Sequence, residues 1–498
     1  MSHLTYPTSI PATTSTFDLH SLRALGLRLN PAQIEHMLAR GELVAKYRRY
    51  YEGDHDANMT PEMRKMLRVQ SQSGQGEFND NYMIVVCDTM SDRITLDTVD
   101  ADNDAASAWS QAVLEDNNGD SLGDDVHSAA VRDGDSFVMV SWDDAEGRVA
   151  LTYEAAFDGE CGVIPVYASA NSSEMYCALK IWQIYDESGD MRTRVNIYYA
   201  DHLEKYQSLE GGQFMPVLED GGAGNGWYDW SGADGGIGIP IVHFRNRATG
   251  NYGMSELKNA IPLQDSLNRT MHSLVMAEEL TAFRVPIANG WQPSGAIMPG
   301  TILAIPAVGA EMHKPSTEVL EAGDLSQIIN AAVWKTAEIG RITRTPAPEF
   351  SAGDNASGEA LKQREIGLLG KVQRFQVKAG NAWETVMKLA HRVQATFGKI
   401  KPPPYTRFYA RWRDAEIRND KATVETVLMI ADRIGDRETL RLLSGVWGWD
   451  EERIAKILED RTNDTATRMA SAFSTLPGYG NFDNSFNQQP DQGVVSNG

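Results

Sequence analysis

Three cysteines in 498 residues, Cys87, Cys161 and Cys177, are too few and too scattered for a disulfide framework or a Cys-x-x-Cys zinc site. Long apolar runs are missing as well. Met83-Ile84-Val85-Val86-Cys87 falls far short of the roughly 20 residues that cross a bilayer. The first residues show no basic stretch followed by an apolar one, so no secretory signal is expected. These absences predict a soluble chain made in a reducing cytoplasm. Catalytic signatures are absent too. The Gly398-Lys399 pair is followed by Ile400, where a phosphate-binding loop needs Ser or Thr. Gly221–Gly226 lacks the Gly-x-Gly-x-x-Gly spacing, and neither His-Glu-x-x-His nor Gly-x-Ser-x-Gly occurs. Asp54-His55-Asp56 has metal-ligand residue types, but three adjacent loop residues rarely converge on one ion. The expectation is no reaction, no cofactor and no metal.

Basic residues are also in short supply: 46 Lys and Arg against 68 Asp and Glu, a net charge of −22. A uniformly acidic protein repels nucleic acid, yet the charge is unevenly spread. Residues 100–160 hold sixteen acids against Arg132 and Arg148, a balance of −14. Residues 341–413 hold fourteen bases against five acids, a balance of +9. Two solvated faces explain this, and so does a basic element that meets DNA or an acidic partner.

What is present is a normal globular balance, 42% apolar and 23% charged, in a chain long enough for two or more domains. Residues 1–30 read as a loose arm. Helices are expected from Pro31, over 81–94 and twice within 107–133. Strands 136–140 and 149–153 flank an Asp143–Gly147 turn, and β-rich runs continue to Phe244, with 221–238 as a Gly-rich loop. The first half is therefore α+β. Helices over 262–283 and 325–344 bracket a Pro/Gly-punctuated segment with short strand-like runs. After the loop 345–357 comes one long helix, 358–397, whose Leu361, Leu368, Val372, Phe375, Ala379, Trp383, Val386, Ala390 and Val393 step mostly by three and four. Three glycines, 367, 370 and 380, make bending cheap there. A small helical unit occupies 420–460, and the end from 478 is Asn/Gln/Gly-rich.

Five ordered segments resemble the portal proteins of tailed bacteriophages, of the siphovirus type of Gram-positive hosts. They are Tyr47–His55; Asn81 with Val85–Ile94; Ala129–Phe137; Phe244–Arg247 with Gly253–Leu257 and Leu263–Asn268; and Thr343–Pro346 with Ser357–Lys362. The resemblance implies a portal fold, namely an α+β wing, a two-helix stem, a small β-rich clip, a long kinked tunnel helix and a helical crown. The matching divisions are an arm at 1–30, wing 31–254, stem 255–283 and 325–344, clip 284–324, and tunnel loop 345–357. The long helix and its return to the wing take 358–414, the crown 415–475 and a disordered tail 476–498.

The implied function is a ring, in related proteins a homododecamer, at one capsid vertex of the virion, assembled in the host cytoplasm. Double-stranded DNA passes through it without sequence specificity, inward at packaging and outward at ejection. Its implied partners are the terminase large subunit, the major capsid and scaffolding proteins, and a head–tail adaptor, with no membrane. Another head–tail connector or a minor capsid structural protein is the alternative. Glu349, Phe350, Asp354 and Asn355 are the candidate tunnel-loop residues. Lys362, Arg364, Lys371, Arg374 and Lys378 are candidates for contact with the DNA backbone or, by ion pairing with the acidic 100–160 region, with a neighbouring subunit.

Overall fold

A computed structural model describes residues 31–56, 80–169, 174–186, 189–208, 214–218, 226–229, 237–248, 250–282, 286–289, 303–305, 316–319, 324–346, 350, 358–415, 435–447 and 453–460, with Ser172, Val427 and Met429 as isolated positions. The chain divides into two compact units, 1–415 and 416–498. Among the described residues of the second unit are α8 (Asp436–Trp447) and a helical stretch 453–460. Of the helical unit expected over 420–460, most of 420–434 lies outside the described residues, as do the arm 1–30 and the tail 476–498.

The first unit mixes helix and sheet. It opens with α1 (Pro31–Tyr51), α2 (Met83–Ser91), β1 (Leu96–Ala101), α3 (Asp104–Asp116) and α4 (Gly119–Asp133). Asn103 starts α3, its side chain accepting from the Ala106 N–H at 2.8 Å, and Gly134 stops α4 at φ 93°. Next come β2 (Asp135–Asp143) and β3 (Arg148–Ala155), joined by the expected turn, in which Asp143 Oδ1 accepts from Ala145 and Glu146 N–H. β10 (Ile241–Arg245) completes this sheet in the order β10-β2-β3. Its Pro240, which has no N–H, sits at an edge.

A second, antiparallel sheet carries β4 (Gly162–Tyr167), β5 (Met175–Tyr185), β6 (Met191–Tyr198), β7 (His202–Ser208) and β8 (Phe214–Pro216). The expected 221–238 loop is interrupted by β9 (Trp227–Asp229), which pairs with β7. Then α5 (Ile261–Ala282) leads to a three-stranded sheet of β11 (Pro286–Asn289), β12 (Leu303–Ile305) and β13 (Ser316–Val319). The chain returns through α6 (Ser326–Thr343) to the 40-residue α7 (Gly358–Phe397) and β14 (Phe408–Trp412). The pairing of β14 with β1 has no counterpart in the sequence expectations, because the two strands lie more than 300 residues apart. Among the described residues, no helix is long and apolar enough to cross a membrane.

Eight of the nine α7 positions named from periodicity are buried, and the side chain of the ninth, Leu361, lies outside the described residues. The eight form the spine of the main core, against α2, α4, β2 and β10. At its centre the Trp383 indole N–H donates to Nε2 of His127 at 2.9 Å. Since an indole N–H can only donate, Nε2 of His127 must be the unprotonated nitrogen. Burial pushes this imidazole down to about 3. The pair thus asks His127 to stay neutral, and burial enforces it.

The unfolded chain binds a proton at an ordinary histidine, near pH 6.5, and the folded chain does not. The stabilisation is therefore complete above pH 6.5 and is lost as pH falls toward 3, at up to about 1.4 kcal/mol per pH unit. His243, also held low by burial, adds to the same slope. Thermal unfolding of the full chain should show Tm level from pH 8 to 7 and falling below about pH 6.5. His127→Gln keeps an acceptor for Trp383 and should flatten the fall. Equal slopes in both proteins would remove His127 as the titrating group.

Candidate functional site

The five segments singled out in the sequence meet where the α5/α6 pair leaves the sheet-bearing body. At the start of α5, Gln264 donates from Nε2 to Asp80 O (2.7 Å) and to Asn268 Oδ1 (3.1 Å), and accepts the Tyr82 N–H (3.1 Å). Asn268 bonds His55 Nδ1 at 2.7 Å, and His55 Nε2 bonds Tyr50 O at 3.0 Å. A carbonyl only accepts, so the proton sits on Nε2. Tyr50 donates its hydroxyl to Asp265 at 2.7 Å, and Asn81 donates to Tyr51 O at 2.8 Å. The Asp54-His55-Asp56 triplet thus does structural work through its histidine. Among the described residues no cluster suited to a metal ion occurs.

The end of α6 is tied by charge. Glu256 accepts from Lys371 Nζ at 2.8 Å and from Arg247 Nε at 2.7 Å, with side-chain exposures of 1%, 3% and 34% for Glu256, Lys371 and Arg247. Asn246 donates to the same carboxylate, and Lys371 also donates to Thr343 O at 2.6 Å. Burial pulls the Lys371 ammonium below its ordinary value, while the Glu256 carboxylate works to keep it charged. α6 stops just there. Arg344 takes the left-handed conformation, φ 56°, and Thr345 N–H reaches back to Gly340 O at 2.9 Å. Glycine would fit that stop without strain, and a larger residue costs about 1–2 kcal/mol. Gly367 of α7 leaves room for the Arg344 stem, 3.4 Å from where a Cβ would stand.

A third network joins α1 to the same base. Arg40 pairs with Asp135 and donates to Gly253 O at 2.9 Å, and Asp135 accepts from Gly253 N–H and from His243 Nε2. Burial works to raise the Asp135 carboxyl, but His243, Arg40 and the Gly253 N–H together hold it below the usual range. A Cβ on Gly253 would lie 1.9 Å from Gly134 O, so the crossing of these two segments requires glycine. Arg48 pairs with Asp133 and Asp158 beside it.

These contacts redistribute the expected site residues. Lys371 does not face outward: it is buried within its own chain, because a carboxylate awaits it there. Phe350 is buried too, its ring against Gly340 and 5.4 Å from that of Tyr82. Arg374 and Lys378 are exposed and line a cleft of about 840 Å³ with Arg247 and Arg344. Burial, then the nearby Arg245, lowers the Lys378 ammonium. Glu349, Asp354 and Asn355 lie outside the described residues, as do the side chains of Lys362 and Arg364. Sequence reading passed over Glu256 and Arg247 as an ion pair, and also Arg344. The spacing of Lys388 and Arg392 after Arg374 and Lys378 was the available signal for more of the cationic face. Of the sixteen acids in 100–160, ten are exposed, whereas Asp133 and Asp135 are buried and paired within the chain.

Comparison with known proteins gives a consistent family. The family model described as phage portal protein, SPP1 Gp6-like, matches residues 33–466. The portal protein of Mycobacterium phage L5 is 26% identical over 277 residues, 51% of this chain and 55% of that protein. The portal protein of Mycobacterium phage D29 is 26% identical over 286 residues, 51% and 56%. The chain thus spans about half the length of the curated relatives it matches. A solved chain from the virion of a native gene transfer agent particle aligns with 81% of this chain and 98% of its own length, at 12% identity and TM-score 0.36.

The Glu256–Lys371 pair sets a clear expectation. Glu256→Ala leaves an ammonium buried without its counter-charge and should cost about 3–5 kcal/mol, read as a lower Tm and denaturation midpoint. Replacing both residues by methionine should recover most of that loss, since Arg247 is a third exposed and can turn to water. A double variant as unstable as Glu256→Ala would show that the charge pair is not the issue.

Proposed function

Because the chain belongs to the SPP1 Gp6-like phage portal protein family, we propose that it forms a ring at one capsid vertex and conducts double-stranded DNA through it. The same ring would dock the terminase motor during packaging and head–tail connector proteins afterwards. It would reside in the virion, after assembly with capsid and scaffolding proteins in the host cytoplasm. The family is structural, and no reaction is assigned to this chain.

One observation carries the reading from family to geometry. Two helices with a small sheet between them spring from a base built of the family-like segments, and a 40-residue helix follows. Lys335 of α6 donates to Ser266 O (3.0 Å) and Thr270 Oγ1 (2.5 Å) of α5, and Lys371 ties Thr343 at the end of α6 to Glu256 just before α5, so the pair runs antiparallel. On this reading α5 and α6 are the stem (255–283 and 325–344), the sheet β11–β13 belongs to the clip (284–324), and 31–254 is the wing. Residues 345–357 form the tunnel loop, 358–414 the long helix and its return, and 415–475 the crown. The outer side of α6 leaves Ile329 (45% exposed), Val333 (43%) and Trp334 (59%) uncovered in the single chain. An apolar group of that size on a stem helix is what packing between neighbouring subunits requires.

The DNA path follows from charge. Each phosphate that a cation neutralises adds counterion-release affinity and slows sliding. A loop holding Glu349, Asp354 and Asn355 and no Lys or Arg from 345 to 357 suits a duplex that must move.

Native mass measurement and negative-stain imaging of the purified full chain should show closed rings. A monomer at every salt and protein concentration would overturn the reading. Glu349→Lys combined with Asp354→Lys should leave ring mass unchanged and slow DNA packaging, most at low salt. Unchanged packaging would take the loop out of the DNA path.

A further inference from the structure

On α7, Arg374, Lys378, Asn381, Thr385, Lys388 and Arg392 recur at steps of four and three, which puts them on one face over about 27 Å. Beside this face the 840 Å³ cleft meets a second depression of about 710 Å³, and Lys378 lines both. Arg245, Lys388 and Arg392 continue the cationic lining in the second. Among the described residues no carboxylate lines either depression, in a chain whose net charge is −22. Among the described residues Arg374, Lys378 and Arg392 bond carbonyls, those of Gly370, Ala248 and Ile237. Between the cations stand apolar groups, among them Val377 (68% exposed) and Ile342 (38%).

The chain carries a matching surface elsewhere. Asp116, Asp120 and Asp124 recur every fourth residue across the end of α3 and the first half of α4, with Asp125 beside them, and all four are exposed. Among the described residues none of these carboxylates pairs with a cation. Asp120 and Asp124 stand one turn apart on α4, about 6 Å along its axis, as Arg374 and Lys378 do on α7.

We propose that the α7 groove takes the acidic 116–125 face of a second copy of this chain. The inference rests on the ring reading and says which surfaces make the subunit contact. A closed ring of identical copies needs two different, mutually complementary patches on each copy. The α7 row of Arg374, Lys378, Lys388 and Arg392 and the 116–125 face are two such patches, and among the described residues neither is paired with a side chain of opposite charge. Duplex DNA is the poorer occupant, since phosphate contacts need no apolar wall. A protein surface uses both the cations and Val377 and Ile342. Charge of this kind sets which partner binds and in what orientation, more than how tightly.

The test uses the full chain, assembled from a mixture of isotopically heavy and light copies. Zero-length carbodiimide coupling should join Lys378 or Lys388 to Asp116, Asp120 or Asp124 in heavy–light peptide pairs. Arg374→Glu with Lys378→Glu should raise the concentration needed for assembly about tenfold or more. Adding Asp120→Lys and Asp124→Lys to the same chain should restore it, which also shows that the first variant failed by charge and not by misfolding. Rings that form normally in Arg374→Glu/Lys378→Glu and give no such cross-links would overturn the contact and leave the ring reading standing. Normal rings that have lost only low-salt retention of duplex DNA would assign the groove to DNA instead. A wild-type chain that never assembles would remove the ring reading and the contact with it.

Discussion

The end of α6, the segment before α5 and the long helix α7 are tied together by one buried ammonium and one buried carboxylate, Lys371 and Glu256. A buried pair of this kind adds little over an apolar replacement, because desolvation offsets most of the attraction. Its effect is on what the structure cannot do. Lys371 belongs to the long helix, Glu256 to the segment before α5, and the carbonyl of Thr343 that shares the ammonium ends α6. A slip of any of the three by one residue would leave a charge buried alone, which costs several kcal/mol. Three elements distant in sequence are thereby held in one register.

The same constraint explains why the base of the helix pair is polar while its surroundings are apolar. Gln264, Asn268 and His55 are all buried, and each finds a specific partner. An unpaired amide or imidazole there costs about 1–3 kcal/mol, so only one arrangement of the two helices on the body satisfies them all. Higher on α6 the exposed Ile329, Val333 and Trp334 place no such demand inside the chain. Orientation is set at the base, and the outer side is left for whatever packs there.

Much of this was legible in the sequence, for physical reasons that differ by element. The long helix was readable because its apolar residues keep a helical period over several turns, and the structure buries the eight of the nine named whose side chains it describes. α5 and α6 were readable for the same reason. The β1–β14 pair was not, since its strands are short, β1 carries Asp97 and Asp100, which pair with Arg413 and Arg411, and each strand depends on a partner more than 300 residues away. Periodicity does not encode non-local pairing. The five family-like segments were recognisable as strings, but their use was not. Asn246, Glu256, Gln264 and Thr343 are polar residues in apolar surroundings, and only folding shows that they meet. Lys371 was misplaced on the surface because a lysine's residue type says nothing about the carboxylate it will find.

Charge segregation along the chain, −14 in one stretch and +9 in another, also changes meaning in three dimensions. Part of the acid is internal: Asp133 and Asp135 bind Arg48 and Arg40 of α1 and serve the body. What remains is an exposed acidic face and the α7 row of Arg374, Lys378, Lys388 and Arg392, neither paired with a side chain of opposite charge among the described residues. A DNA conduit built from such subunits faces a conflict. Cations that hold subunits together by charge would, if they faced the channel, grip the duplex and oppose its movement. The conflict disappears if the α7 cations are neutralised by the neighbouring copy's carboxylates, because their positive charge is then removed from the channel by the contact that closes the ring. A net charge of −22 per chain then works in favour of transport: the surface left to the DNA is the acidic remainder, which guides without binding.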